Sequence, residues 1–91
     1  MNLEEKVHLE FSTSMLVNGC KYMKKRPDSF KLDVKAESDT SGKLVLSLIR
    51  PINAIERIVK KIIEGIDGVS MSICKVTRTR ILIEWSLECL P

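Results

Sequence analysis

Between Ile55 and Ile66 six aliphatic residues, Ile55, Ile58, Val59, Ile62, Ile63 and Ile66, recur at the spacing i, i+3, i+4, i+7, i+8, i+11. That spacing places them along one face of an α-helix. The opposite face reads Glu56, Arg57, Lys60, Lys61 and Glu64. β-branched residues are only moderate helix formers, so a helix of this composition has to be held by what it packs against. Asn53 is the expected N-cap, with Glu56 three residues later placed to reach back to it. Pro51 ends the preceding strand, and Gly65 and Gly68 stop the helix. A sheet must therefore lie under this face.

The sheet is legible on both sides of the helix. After Gly68 the period changes to two: Val69, Met71 and Ile73 alternate with Ser70, Ser72 and Cys74. A polar tip follows from Lys75 to Arg80. Then Ile81, Ile83, Trp85, Leu87 and Cys89 alternate with Leu82, Glu84, Ser86, Glu88 and Leu90. This reads as an antiparallel hairpin. Upstream, Leu44, Leu46 and Leu48 alternate with Val45, Ser47 and Ile49, apolar on both faces as in a central strand. Ser38–Gly42 is a turn by composition. Before it, Phe30, Leu32, Val34 and Ala36 alternate with charged residues as a strand wet on one face. Near the start, Val7, Leu9 and Phe11 alternate with His8, Glu10 and Ser12 and read as a first strand.

Between Ser12 and Pro27 two readings stand. A helix from about Ser14 to Arg26 would put Leu16, Cys20 and Met23 on one face and end in Lys24, Lys25 and Arg26, favourable for its dipole. Alternatively Asn18-Gly19 is a hairpin turn joining two strands. The helix is preferred, because the apolar pattern breaks period two through Met15, Leu16 and Val17. The order is then β-α-β-β-α-β-β in a single domain over residues 1–91. The expected fold is an α+β two-layer sandwich, an antiparallel sheet with two helices on one face in ferredoxin-like order.

From Lys43 to Trp85 the chain resembles the β-α-β-β half of heavy-metal-associated domains, including the turn Ile66-Asp67-Gly68-Val69. That family's metal-binding cysteine pair would fall in the loop Arg50-Pro51-Ile52-Asn53, which has no cysteine, so the resemblance implies architecture without metal chemistry. The helix followed by a basic hairpin is also similar to Alba-type nucleic-acid-binding proteins, whose order lacks a hairpin at Ser38–Gly42.

Composition narrows the function classes. With 44% hydrophobic and 30% charged residues the chain can bury a core. Its longest near-apolar run, Leu44 to Ile49, is too short to span a bilayer. The start, Met1 to Lys6, lacks the pattern of a secretory signal, so a cytoplasmic protein without membrane contact is expected. Cys20, Cys74 and Cys89 are odd in number and contain no CxxC pair, which argues against a disulfide framework or zinc site and for reduced, partly buried thiols. No metal or cofactor is expected. His8 is the only histidine, on an outward position of the first strand. No catalytic triad, GxGxxG, Walker or HExxH pattern occurs. A non-enzymatic chain is expected, with Cys74 or Cys20 the remaining nucleophile candidates.

Two binding functions remain. The last strand carries apolar residues on both faces, so it is either central or covered by another chain. On that ground the leading expectation is an interaction or regulatory module, a homo-oligomer associating through its sheet. The alternative is a nucleic-acid-binding module, DNA or RNA, that sets Lys24, Lys25, Arg26, Arg57, Lys61, Lys75, Arg78 and Arg80 on phosphates. Thr77 and Thr79 would add hydroxyl donors. A net charge of +3 is too small to argue this from balance; clustering has to carry it.

Overall fold

A computed structural model describes residues 1–88. Alternating segments pair as their period dictates. β1 (Phe30–Ala36), β2 (Ser41–Leu48), β3 (Val69–Val76) and β4 (Arg80–Leu87) form one antiparallel sheet in the order β1-β2-β4-β3. Three α-helices join them among the described residues: α1 (Leu3–Asn18), α2 (Lys21–Lys25) and α3 (Ile55–Glu64), with a 3-10 turn at Pro27–Ser29. The fold is α+β. β2 and β3 are both antiparallel to β4, which lies between them, so β2-α3-β3 is a split β-α-β unit.

The expected first strand at Val7–Phe11 is helix instead, and the two-unit β-α-β-β-α-β-β order is not reproduced. Leu3, Val7, Phe11 and Met15 fall four apart, with Ser14 beside them. Val7, Phe11, Ser14 and Met15 are buried, while Leu9 is 52% exposed. Asn2 caps α1, its Oδ1 accepting the Glu5 N–H at 2.8 Å. Asn2 and Glu5 stand at the capping-box spacing, a signal stronger than five residues of alternation. His8 therefore lies on an exposed helix face, its Nδ1 3.3 Å from Ser12 Oγ.

Neither reading of Ser12–Pro27 holds as stated. α1 stops at Asn18, Gly19 and Cys20 are extended, and helix resumes at Lys21. Asn-Gly breaks the helix without turning the chain into a hairpin. The break also rotates the apolar positions: Met23 is buried and Cys20 half-buried, but Leu16 is 63% exposed.

The aliphatic stripe packs as expected: on α3 Ile55, Val59 and Ile62 are buried and Ile58 and Ile63 half-buried, and Ile66, just past the helix end, is buried too. The N-cap differs. Ala54, at φ 58°, takes that place without a side-chain cap, and Asn53 is exposed. A left-handed conformation costs a Cβ-bearing residue about 1–2 kcal/mol. Ala54→Gly is therefore expected to stabilise the fold by about 0.5–1 kcal/mol, read as a higher denaturant midpoint at unchanged slope.

One face of the sheet, carrying Leu44, Leu46, Ile81, Ile83, Trp85 and Met71, is buried with Val7, Phe11, Val59 and Ile62 of the helices. α1 and α3 meet at small groups: Ser14 Oγ donates to Ile62 O at 2.6 Å, and Gly65 lies beside Ser14 and Asn18. Gly42, read above as part of a turn, sits inside β2 opposite Trp85. The Trp85 indole is 2% exposed, and its Nε1 has no hydrogen-bond partner among the described residues. The other sheet face is open. Its rows run Lys31–Ser47–Arg80, Asp33–Val45–Leu82–Lys75 and Lys35–Lys43–Glu84–Ser72.

Candidate nucleic-acid interface

Strand directions decide which basic groups meet. β1 begins, β2 ends, β3 ends and β4 begins at one end of the sheet, since Phe30 pairs with Leu48, Ser47 with Arg80 and Val76 with Ile81. The chain from α2 enters there. Tyr22, Arg26, Asp28, Ser29, Ile49 and Arg50 line a cleft of about 310 Å³. Arg26 lies 6.0 Å from the Tyr22 ring centroid, within reach of a cation–π contact. Ile49 N–H donates to Ser29 O at 3.0 Å, and this tie sets Arg50 next to Arg26. A second cleft of about 700 Å³ joins the first turn of α3 to the hairpin tip, lined by Pro51 to Glu56 and by Val76, Thr77 and Arg78. Arg57 stands exposed in that same first turn.

Seven of the eight expected residues, all but Lys61, therefore gather at this end: Lys24, Lys25 and Arg26 from α2 and its C-cap, Arg57 from α3, and Lys75, Arg78 and Arg80 from the hairpin. Lys61 does not join them. It lies in the last turn of α3, which points to the opposite end of the sheet. Arg50 belongs to the group and sequence reasoning passed it over. It is a single cation in an apolar loop, and only strand order shows that it faces Arg26. The two ion pairs found among the described residues, Lys31–Asp33 and Lys43–Glu84, involve none of these cations. Asp28 and Glu56 stand among them in the chain, and Asp33 shares the open-face row of Lys75. Thr77 is not free to bind outward: its Oγ1 donates to Arg80 O at 3.1 Å and accepts the Arg80 N–H at 3.0 Å, closing the tip.

The far end is acidic. Glu37 and Asp39 lie around the β1–β2 turn, Glu64 and Asp67 around the α3–β3 turn, and Glu88 follows β4. Across the middle of the open face, Lys43 Nζ donates to Glu84 Oε1 at 2.6 Å. That bond holds the Glu84 carboxyl below the usual carboxylate range and the Lys43 ammonium above the usual lysine value. The small stabilisation it gives is present above the ordinary glutamate pKa and fades as pH falls through the lowered one. It fades again as pH rises through the raised lysine value.

β4 lies between β2 and β3, so Ile81, Ile83 and Trp85 are covered within the chain, and Leu82 is half-buried beside Val45. Its apolar residues do not require a second chain. Cys74 is exposed at an irregularity of β3 between Ile73 and Lys75, unlike the part-buried thiol expected. Cys89 lies outside the described residues. No group of three metal-ligand side chains forms among the described residues, and no described helix is long and apolar enough to cross a membrane. Comparison with protein-family models, with curated proteins and with solved structures finds no match for this chain.

Proposed function

We propose that this protein binds the phosphate backbone of nucleic acid with the basic end of its sheet. The reading rests on one observation: Arg26, Arg50, Arg57, Lys75, Arg78 and Arg80, from four separate segments, share one end of the sheet, Lys75 and Arg80 on its open face and Arg57 on the helix side, and among the described residues no acidic side chain pairs with them. Unneutralised guanidinium groups match phosphate oxygens in charge and in donor geometry. Among the described residues base stacking has a single exposed partner in the group, the Tyr22 ring, and Trp85 is buried. Binding would therefore follow the backbone and be largely indifferent to base sequence.

The test is a titration of labelled duplex DNA, duplex RNA and single strands over a series of salt concentrations. Binding is expected at low salt, and log K should fall linearly with log salt, each phosphate contact on a duplex adding about 0.9 to the slope. Arg78→Ala should remove about one such increment, and Lys61→Ala at the acidic end should leave the line unchanged. No binding to any of these probes at low salt, or an equal loss for Lys61→Ala, overturns the reading.

A further inference from the structure

The two outer strands of the sheet each leave one side unpaired, and β1 is built to pair with itself. Leu48 N–H donates to Thr79 O and Leu87 N–H to Thr40 O, which fixes the phase of the ladder. Lys31, Asp33 and Lys35 then turn their backbone groups toward β2, and Phe30, Leu32, Val34 and Ala36 turn theirs outward. The Ala36 N–H is already taken by Glu4 Oε2 at 2.8 Å. The free edge is thus confined to Phe30, Leu32 and Val34.

We infer that this edge joins a second copy of the chain about a two-fold axis at Leu32, giving one continuous eight-stranded antiparallel sheet. The charges choose the register. With Leu32 opposite Leu32 of the partner subunit, Lys31 faces the partner's Asp33 and Asp33 faces the partner's Lys31, twice over by symmetry. Within the chain neither charge has a charged cross-strand neighbour: Lys31 stands opposite Ser47 and Asp33 opposite Val45. Their own separation is 3.9 Å with both side chains largely exposed. A register centred on Asp33 sets like charges against each other, Asp on Asp and Lys31 on Lys35, which is unfavourable for directly opposed residues. A register centred on Val34 would need the Ala36 N–H that Glu4 occupies. On the helix side, Phe30 of the partner subunit comes to lie beside Val34. There Val34, Leu9 and Met1 contribute to a cavity of about 420 Å³ between β1 and α1. The sheet-mediated self-association expected from the sequence thus acquires a specific edge, different from the strand that first suggested it.

Light scattering and sedimentation equilibrium over a dilution series test this. The chain is expected to reach about twice its 10.3 kDa mass as concentration rises. Lys31→Asp and Asp33→Lys each place like charges across the axis and should each remain monomeric. Mixed in equal amounts, the two variants carry complementary charges and should form a heterodimer. The double swap in one chain should restore the homodimer. Both positions are exposed, so unchanged circular dichroism identifies folded monomers. A wild-type chain monomeric into the high micromolar range, single variants that still dimerise, or a mixture that stays monomeric overturns the inference. Lys31 stands in the same row as Ser47 and Arg80. The phosphate titration is therefore compared only between the wild type and the double swap, which keeps the net charge, while dimerisation is read from mass alone. A dimer without phosphate binding, or phosphate binding by a monomer, separates the two readings.

Discussion

Phe11→Ala is expected to lower stability by about 3–5 kcal/mol, while Leu9→Ala stays within about 0.5 kcal/mol. The contrast follows from α1. Phe11 is fully buried in the common core, and Leu9 points to the opposite side of the helix. On a strand the two side chains would share a face, and both substitutions would be costly. Urea denaturation of the two variants measures the difference directly. Small domains have only about 5–15 kcal/mol in hand, so Phe11→Ala takes a large share of the total. Equal losses at the two positions would mean that α1 does not pack as described.

Gly42→Ala is the second large effect. A Cβ at this position would lie 2.1 Å from Lys35 O, 2.5 Å from Trp85 Cζ2 and 2.9 Å from Ala36 Cα. Two of these neighbours are backbone of the adjacent strand and cannot swing aside, so β1 itself must move. Overpacking of this kind costs about 1–3 kcal/mol, and the backbone contacts argue for the upper part of that range. A midpoint shift in denaturation at unchanged slope is the expected reading. Trp85→Leu is costly by itself because the ring is buried in the core, so the comparison is a double-mutant cycle. In that background Gly42→Ala should cost less than in the wild type but still lower the midpoint, because the indole contact is relieved and the carbonyl one stays. A cost that vanishes in the Trp85→Leu background would mean that the ring alone sets it.

The legible parts of the sequence were those where one signal acted alone. The stripe from Ile55 to Ile66 has no competing pattern, and neither do the alternations in β1 to β4, so their packing followed directly. α1 was hidden because its outward face is also apolar: Leu9, Leu16 and Val17 are all exposed. With apolar residues all round, the 3.6 period fades, and a short run such as Val7-Leu9-Phe11 mimics period two. The cap Asn2 with Glu5 was the signal that could have settled it. At Asn53 the opposite happened. A good capping residue stood next to the true cap position, which Ala54 fills by taking a left-handed turn. Of the basic end, the clusters at Lys24–Arg26 and Lys75–Arg80 were visible as composition. Their meeting was not, because it depends on strand direction, and Arg50 has no neighbours in sequence that would draw it in.

Strand direction has a last effect that the net charge of +3 conceals. With cations in excess at one end of the sheet and carboxylates in excess at the other, the molecule carries a permanent moment along its strands. An approaching charged surface meets a single pole and not the sum. The chain can therefore rest arginine-first on an anionic resin and carboxylate-first on a cationic one at the same neutral pH. It should travel through ion exchange as an oriented particle, not as a weak base.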